Sequence, residues 1–475
     1  MKVLLVNPPA GSLYHRVGLR FIPLGLAYVA AALRENHHKV DVVDFEVAKA
    51  DYRDLPYGEY DLVGISSDTT RWPAAQKVAE AAKAAGSTVV AGGPHVTFMD
   101  TEALAAGAVD YVVRNEGEYT MLELASCLGD GSKPSHVAGI SYRGNGDIVR
   151  TPARPYISDL DNLPMPARDL FARKSYRATL EGREMTGVVT TRGCPSNCDF
   201  CSCSVFGGLK LRTRSVESVI DEIKYMYERE GYRAVAFFDD NFTLNPNRAA
   251  AIAEGILKQN WNLKWWAFSR ADTALRHPEV VKLMARAGLR QVFVGFESAN
   301  QESLDGANKK ASVQSSFEAM EVFRAHDVRV WGAFMLGFDD ETEAMVNNTI
   351  RFAKKLNPHV AQFSLVTPYP GTRLFEKVKD RLITHDWRRF WGGMPTFELR
   401  KLRAERLQSL FWRAYRSFYL RPRKLLKWMP YFSAASVRYY WEPKNALKRF
   451  MALSGKRAAA RLSRPLVPKV QRQMR

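Results

Sequence analysis

Short apolar segments alternate with helical segments along most of this chain, and this alternation limits the fold more than any other feature of the sequence. In the N-terminal part, five segments have the length and β-branched content of buried strands, and helical segments separate them. The predicted strands are residues 2–6, 40–44, 62–66, 89–92 and 109–113, and the helices between them are residues 24–35, 72–85 and 101–106. This order predicts an α/β domain with a doubly wound, Rossmann-like sheet over residues 1–131.

Sheets of this kind bind ligands at the carboxyl ends of their strands. Three of the predicted strands are followed there by NPPAG, SSDTT and GGPH. Glycine allows a ligand to approach the backbone closely, and hydroxyl groups can donate hydrogen bonds to it. A tight turn or a helix cap would explain each loop singly, but three such loops at one edge predict a cofactor site.

A connector rich in glycine and proline is predicted over residues 132–183, with a small hairpin around residues 143–147. After it, strands and helices alternate with a longer period. The predicted strands are residues 187–191, 234–239, 264–269, 291–297, 328–336 and 361–366, with helices such as residues 216–229 and 316–326 between them. Six β/α units predict a partial (β/α)6 barrel of TIM type over residues 184–375, with its reactive groups at the carboxyl ends of the strands.

Four of the five cysteines lie within ten positions, in the segment TTRGCPSNCDFCSCSVFGG after the first predicted barrel strand. An odd number of clustered cysteines is more typical of metal ligation than of a disulfide framework. Cys194, Cys198 and Cys201 form the pattern C-x3-C-x2-C, and no histidine lies between Cys203 and His277 to complete a zinc site. Three thiolates on one tight loop favour a cubane iron–sulfur cluster with one open iron, while a zinc or structural role remains the alternative.

This cysteine pattern, with Phe200 directly before its last cysteine, resembles the hallmark of the radical S-adenosylmethionine (SAM) superfamily. The segments GISSDTT, GGPH and NEGEYT of the N-terminal domain resemble the cobalamin-binding half of the cobalamin-dependent branch. That branch includes the anaerobic magnesium-protoporphyrin cyclase and many methylases. The resemblance covers residues 1–370 and implies three cofactors, namely a [4Fe-4S] cluster on the three motif cysteines, SAM and cobalamin.

The resemblance also implies contacts to these cofactors. The implied SAM contacts are Phe200, Asp239, Asp240, Ser269, Arg270 and Glu297, and the implied cobalamin contacts are Ser66, Ser67, Thr69, Gly92, Gly93, Pro94, His95, Glu116 and Gly117. The Gly-Gly-Glu usual at the SAM amino group is absent, so the two aspartates are assigned by position. A helix cap is the alternative for these aspartates, and a structural ion pair is the alternative for Arg270 and Glu297.

The pattern Asp-x-His-x-x-Gly, which ligates cobalt from below in some corrinoid proteins, is incomplete here. His15 and Gly18 stand at the right spacing, but Leu13 occupies the Asp position. Without that carboxylate nothing orients the imidazole, so we expect the lower face of the cobalt to be open or bound to water.

The positive charge of the chain is concentrated at its C-terminal end. Residues 401–475 contain 20 Lys and Arg against 2 Asp and Glu, whereas residues 1–400 contain 49 against 48. A basic, helical C-terminal region is predicted over residues 376–475, and it places Phe411, Trp412, Tyr415, Phe418 and Tyr419 on one helix face. Interleaved rings and bases predict an interfacial helix on an anionic membrane, with packing on the barrel as the alternative. Nucleic-acid binding is not favoured.

The N-terminus lacks the apolar region of a signal peptide, and no segment reaches the ~20 apolar residues of a membrane span. We therefore expect a cytoplasmic protein, peripheral on the inner face of the membrane.

The resemblance implies methylation of an unactivated carbon in a hydrophobic lipid, isoprenoid or tetrapyrrole substrate, through a 5′-deoxyadenosyl radical and methylcobalamin. An external electron donor of flavodoxin or ferredoxin type is implied as well. Radical cyclisation, oxidation or C–C coupling without net methylation, and RNA modification, are the alternatives.

Overall fold

Two seven-stranded sheets form the framework of the protein. The computed structural model describes residues 1–9, 20–422 and 424 of the 475-residue chain. His15, with the incomplete cobalt-ligand pattern around it, and residues 425–475 of the basic region lie outside the described residues.

The first sheet has the strand order β2-β1-β3-β4-β5-β6-β7, and its first five strands in the chain are parallel. The strands are β1 Lys2–Asn7, β2 Lys39–Asp44, β3 Leu62–Ser66, β4 Thr88–Gly92, β5 Tyr111–Val113, β6 Ile140–Gly144 and β7 Asp147–Arg150. The helices are α1 Leu24–Glu35, α2 Trp72–Ala84, α3 Pro94–Phe98, α4 Asp100–Ala105 and α5 Glu118–Gly129.

Helices cover both faces of this sheet because successive strand residues point to opposite sides. Val3 and Leu5 pack with residues of α1 and α5, whereas Leu4 and Val6 pack with residues of α2. The doubly wound fold predicted from the sequence is therefore confirmed. The hairpin predicted in the connector also forms, and its strand β6 pairs antiparallel with β5, so that the hairpin extends the first sheet.

The second sheet has the order β16-β15-β14-β13-β12-β9-β8. Its strands are β8 Thr179–Leu180, β9 Arg183–Val188, β12 Ala234–Phe237, β13 Lys264–Ser269, β14 Leu289–Glu297, β15 Arg329–Leu336 and β16 Val360–Leu365, and a separate ribbon pairs β10 Thr191–Arg192 with β11 Arg212–Thr213. The helices are α6 Ser202–Gly207, α7 Val216–Glu228, α8 Pro246–Lys258, α9 Ala271–Arg276, α10 Pro278–Arg286, α11 Gln301–Gly306, α12 Val313–Ala325, α13 Glu343–Leu356, α14 Arg373–Val378 and α15 Ala404–Tyr419. The six strands from β9 to β16 in this order are parallel, which confirms the partial barrel.

Helix α15 covers the open edge of the barrel at β16. The Tyr415 hydroxyl accepts from the Phe363 amide at 3.2 Å and donates to the Phe363 carbonyl at 2.9 Å. The Tyr419 hydroxyl makes the same two bonds to Ala361, at 3.0 and 2.9 Å. Four residues along a helix and two along a strand span similar distances, so the two tyrosines satisfy edge groups that another strand would otherwise bind.

The prediction of an interfacial helix is wrong for residues 404–419. Phe411 and Phe418 are buried against the barrel, and the tyrosine hydroxyls bond to its edge strand. Packing on the barrel, the stated alternative, is what the structure shows for this segment. Within the part of the chain that the structure describes, no helix combines the length and apolarity needed to cross a bilayer.

Candidate active site

The loop after β9 presents the motif cysteines at the carboxyl end of the barrel. It turns at Gly193, whose φ is +86°, and a Cβ there would lie 2.4 Å from the Lys210 carbonyl oxygen. Only glycine fits this turn. The Cys194 amide then donates to Gly208 at 3.0 Å, and the Cys201 amide donates to Cys198 at 3.1 Å, so the three cysteines share one tight loop.

Residues between the cysteines fasten this loop to the barrel. The Asp199 amide donates to the Ala307 carbonyl at 3.0 Å, and the Asp199 carbonyl accepts from Leu374 at 2.9 Å. The Asp199 carboxylate binds Arg373 at 2.8 Å and also binds Lys377. The sequence motif gave no sign of these anchors, because they come from α11 and α14, more than 100 residues away.

The donor set fits a cubane cluster. Among residues 1–9, 20–422 and 424, no group of three or more His, Cys, Asp or Glu side chains surrounds one point as a single metal ion requires. A cubane does not need such a point, because each thiolate binds a different iron atom. Cys203 is hydrogen-bonded to Cys201 and to Asp240, and the bond from Cys203 lowers the pKa of Cys201 to about 7.

The two aspartates after β12 have different surroundings. Asp239 is fully buried and accepts from the Thr190 amide at 2.6 Å, the Thr190 hydroxyl at 2.5 Å and the Thr191 amide at 2.9 Å. Burial raises its pKa. Its carboxylate therefore holds the base of the cysteine loop, whereas Asp240 faces a cavity together with Cys203.

Arg270 and Glu297 each have an ionic partner next to the cysteine loop. Arg270 donates to Asp272 at 2.9 Å and to the Ser196 hydroxyl at 3.4 Å. Glu297, at the bulge that ends β14, accepts from Lys309 at 2.8 Å. Burial by itself lowers the pKa of Lys309, but Glu297 outweighs it and raises that pKa.

Lys309 is a residue that the sequence analysis missed, since no motif marks the segment after α11. It lies close enough to Cys198 to act electrostatically on the thiol.

The remaining implied SAM residues, Ser269 and Phe200, each contact another residue of the protein. Ser269 lies 2.9 Å from the Thr243 hydroxyl, and Phe200 packs edge-on against Phe338 at 6.1 Å.

A cavity of about 490 Å³ lies between the carboxyl edge of the first sheet and the cysteine loop. Most of its wall is apolar, as a site for a large ring system requires. Six of the nine implied cobalamin residues line it, namely Ser66, Gly92, Gly93, Pro94, Glu116 and Gly117. On the opposite side it is lined by Arg192, Gly193, Cys203, Phe238 and Asp240.

Gly93 forms a turn in the cavity wall that only glycine can adopt. Its φ is +106°, and a Cβ there would lie 2.6 Å from the Ser67 carbonyl oxygen. A backbone without Cβ atoms at this edge allows the close approach that a corrinoid needs, so the residues present fit this group.

The other three implied residues, Ser67, Thr69 and His95, are buried outside the cavity lining. The His95 ring packs between Trp72, at 5.4 Å, and Trp387, at 5.0 Å. Its Nδ1 lies 3.4 Å from the Thr69 hydroxyl, and burial lowers the pKa of His95 to about 3. In GGPH, the glycines therefore shape the cavity, and the neutral histidine packs the domain behind it.

Comparisons with known proteins agree with this geometry. A family model described as the radical SAM superfamily matches residues 188–353, and a B12 binding domain model matches residues 13–125. An uncharacterized methyltransferase of Pyrococcus horikoshii is 38% identical over 437 residues, which are 90% of this chain and 94% of the relative. The chain belongs to the cobalamin-dependent radical SAM methyltransferase family.

Other members of this family have named substrates. A bacteriochlorophyllide d C-12(1)-methyltransferase of Chlorobaculum tepidum is 30% identical, covering 88% of this chain and 87% of its own. A hopanoid C-3 methylase of Methylococcus capsulatus is also 30% identical, covering 82% and 75%.

A solved structure shows the same fold. It is the radical SAM methyltransferase TsrM from Kitasatospora setae with cobalamin and a [4Fe-4S] cluster bound, at a TM-score of 0.67 and 19% identity, covering 80% of this chain and 75% of that one. The cofactors of the family are the [4Fe-4S] cluster, SAM and cobalamin, as the sequence implied.

Proposed function

We propose that this protein methylates an unactivated carbon of a hydrophobic substrate, of lipid, isoprenoid or tetrapyrrole type, bound inside the barrel. The observation that carries the proposal is a continuous row of half-buried rings on the inner face of the second sheet. The row consists of Phe238, Trp266, Phe268, Phe293 and Trp331, and the centroids of successive rings lie 5.8, 5.1, 5.0 and 5.8 Å apart. Such a wall binds large apolar molecules.

The row leads to the cofactor site. Phe268, Phe293 and Trp331 are in register across three neighbouring strands, so they form one layer inside the barrel. Phe238 belongs both to the row and to the lining of the cavity. A substrate lying on the rings would therefore place a carbon beside the cavity, between the cysteine loop and the first sheet.

We assign roles on this basis. Cys194, Cys198 and Cys201 would hold the [4Fe-4S] cluster at the carboxyl end of the barrel, next to the SAM site. When bound, the cluster and SAM supply a carbon-centred radical, and the corrinoid supplies the methyl group. Arg270 and Lys309 orient the SAM carboxylate, and Asp240 accepts from the SAM amino group.

Two further contacts follow from the same placement. Glu297 accepts from the ribose hydroxyls, and Phe200 borders the SAM site. The aromatic row excludes water from the interior of the barrel.

Isotope transfer tests the proposal. Anaerobically reconstituted protein, supplied with a low-potential reductant and SAM carrying a CD3 group, would be incubated with total lipid extract, a tetrapyrrole fraction and total RNA. Mass spectrometry should find the label in the lipid or tetrapyrrole fraction. Trp331→Ala should lower the transfer strongly, and Trp261→Ala should not, because Trp261 stacks on Tyr227 away from the barrel interior. Label in RNA alone would contradict the proposal and favour RNA modification.

We also infer that residues 425–475 attach the enzyme to an anionic membrane surface. This segment contains 12 Lys and Arg against one Asp or Glu. Each base near an anionic leaflet contributes about 1 kcal/mol. Lys424, just before the segment, donates to the carbonyls of Pro358 and His359 at the amino end of β16. Lys424 thus lies at the end of the barrel opposite the cysteine loop.

Co-sedimentation with vesicles of anionic phospholipid tests the attachment. The full chain should sediment with the vesicles, and a chain ending at Lys424 should not. This end point retains α15, which a shorter chain would lose together with the cover of β16. The inference would be contradicted if the full chain did not bind the vesicles but bound RNA. Affinity for RNA would fall steeply at high salt because counterions are released on binding.

A further inference from the structure

A buried set of four charged residues joins the two sides of the cavity. Arg192 donates to Glu116 at 2.9 Å and to Glu118 at 2.6 Å, and Arg212 donates to Glu116 at 2.8 Å. Exposure of these side chains is 17% for Arg192, 5% for Arg212, 9% for Glu116 and 4% for Glu118. We call this set the inter-domain clamp.

The clamp closes only when both domains are in place. In the ribbon of β10 and β11, Arg192 and Arg212 are direct partners, so two like charges face each other. Such a pair is destabilising by itself. The two carboxylates that neutralise it come from the loop and helix after β5 in the first domain.

The remaining hydrogen bonds make the geometry of the clamp specific. Arg212 also donates to the carbonyls of Ile157 and Gly207, both at 2.8 Å, and Glu116 accepts from the Ile157 amide at 2.7 Å. A buried ion pair is favourable only when its geometry is good and its other bonds are satisfied. A shift of either domain would therefore break several of these hydrogen bonds at once.

The position of the clamp connects the two cofactor sites. Glu116 and Glu118 lie on either side of Gly117, and all three line the cavity. On the other side, Arg192 lines the cavity and is separated from Cys194 only by Gly193. A single network of hydrogen bonds thus runs from the cavity wall to the cluster-binding loop.

We propose that the inter-domain clamp positions the corrinoid relative to the iron–sulfur cluster and so fixes the distance between these two cofactors. The proposal rests on the cofactor roles assigned above. With the cofactors bound, SAM would give S-adenosylhomocysteine by methylating the reduced corrinoid, or 5′-deoxyadenosine by reductive cleavage at the cluster. Of these two products, only the first would depend on the position of the corrinoid. The clamp residues are positioning residues, because they act through the two loops.

Two variants test the clamp. Glu116→Gln removes the shared charge while keeping the shape of the side chain, and Arg212→Lys keeps the charge while losing the forked geometry. Glu222→Gln is the matched control. Glu222 is likewise buried between two arginines, Arg168 and Arg214, but it does not line the cavity.

The first readout is the magnetic interaction between Co(II) and the reduced cluster, measured by pulsed electron paramagnetic resonance on protein that is loaded with cluster and hydroxocobalamin and then treated with a chemical reductant. The second is the ratio of S-adenosylhomocysteine to 5′-deoxyadenosine formed from SAM under a chemical reductant, with no substrate added. In Glu116→Gln the magnetic interaction between Co(II) and the cluster should become weaker, with a broader distribution of distances. The ratio of S-adenosylhomocysteine to 5′-deoxyadenosine should fall about tenfold, which is a modest value for a displacement of reacting groups. Arg212→Lys should give a smaller change in the same direction, and Glu222→Gln should leave both readouts at the wild-type values.

If both clamp variants keep the wild-type interaction and ratio, and lose thermal stability only as Glu222→Gln does, the clamp is a structural ion pair and the proposal is overturned. Loss of corrinoid binding with an intact cluster in both variants would make these residues binding determinants, which overturns it as well. Neither readout uses the methyl acceptor, so failure to find a methylated lipid would remove the proposed function without affecting this result.

Discussion

The two sheets build their halves of the active site by opposite means. At the carboxyl edge of the first sheet, Gly92, Gly93 and Gly117 leave room by carrying no side chain. At the same edge of the second sheet, the site consists of side chains, namely the motif cysteines, Asp240, Arg270 and Glu297. A large ligand in a cavity with mostly apolar walls needs space, whereas a cluster and a charged cosubstrate need ligands and counter-charges. We therefore expect added side-chain atoms to impair cofactor binding at the first sheet, and removed side-chain atoms to impair it at the second.

The largest effect is expected from removing atoms at the second sheet. Replacing Cys194, Cys198 or Cys201 by Ala should abolish the cluster, because three thiolates are the only protein ligands assigned to it. Iron analysis and electron paramagnetic resonance of anaerobically reconstituted protein measure this. Cys203→Ala is the control and should retain about four irons and a signal that changes when SAM is added. Loss of the cluster in Cys203→Ala alone would contradict the assignment of the three ligands.

Adding one carbon at the first sheet should have the next largest effect. Gly93→Ala combines a φ of +106° with a Cβ placed 2.6 Å from the Ser67 carbonyl oxygen, so the backbone must move and corrinoid uptake should be lost. Gly86→Ala is the matched control, because its φ is also positive, at +89°, but nothing lies within 4 Å of its Cβ and it does not line the cavity. The absorbance of hydroxocobalamin retained after gel filtration measures uptake. Equal uptake by both variants would contradict the view that backbone space builds this site.

Acid should weaken the first domain through His95. Burial lowers the pKa of His95 from 6.5 to about 3, although Asp68 acts in the opposite direction. The unfolded chain therefore binds a proton between these pH values that the native state does not, so stability falls as the pH drops. From pH 7 to pH 5 the free energy of unfolding should decrease by about 2 kcal/mol from this group.

Urea unfolding at the two pH values, followed by the fluorescence of the tryptophans beside His95, measures this loss. The Glu102 carboxylate lies 4.0 Å from Nε2 of His95, but it already accepts hydrogen bonds from the indole N–H groups of Trp72 and Trp387, at 3.0 and 2.8 Å. His95→Gln should remove this part of the pH dependence. An unchanged pH dependence in that variant would show that other groups cause it.

The smallest effect on the cofactor sites is expected from changes at the edge of the second sheet, which lies away from both of them. Tyr415→Phe and Tyr419→Phe each remove a hydroxyl that serves one amide and one carbonyl of β16, and each should cost about 1–3 kcal/mol of unfolding free energy. Ser417→Ala on the same helix is the control, because its hydroxyl bonds only within α15. Cofactor stoichiometry should not change in any of the three. A loss of corrinoid or iron would mean that the edge cover also shapes the active site.

Much of the fold could be predicted because its signals are local. Strand and helix periods predicted a doubly wound parallel sheet and a partial β/α barrel, and the predicted helix over residues 24–35 coincides with α1. The antiparallel addition of β6 to the first sheet could not be predicted, since it depends on which edge the hairpin meets. The rings of α15 show the same limit. Their helical spacing was evident, but a ring that packs on protein and a ring that enters lipid have the same pattern in sequence.

The site was predictable to the extent that its residues are consecutive. C-x3-C-x2-C predicts three ligands, which the structure places on one loop, and GGPH contains a glycine whose backbone conformation the cavity wall requires. Asp239 and Asp240 could not be told apart, because neighbouring residues at a strand end point to opposite sides. Glu116 was assigned to cobalamin, and the structure shows its carboxylate bound to Arg192 and Arg212, 76 and 96 residues away.

The sequence by itself therefore determined the two domain types and the family and predicted the cluster ligands, because each of these depends on contiguous segments whose spacing reflects local geometry. Only the tertiary structure decided what lies between those segments, namely the cavity, the aromatic row inside the barrel, the pairing of Lys309 with Glu297 and the inter-domain clamp. The physical reason is that charge pairing and burial depend on distances in space. Residues far apart in the chain come within hydrogen-bonding distance only when both sheets are formed and placed against each other.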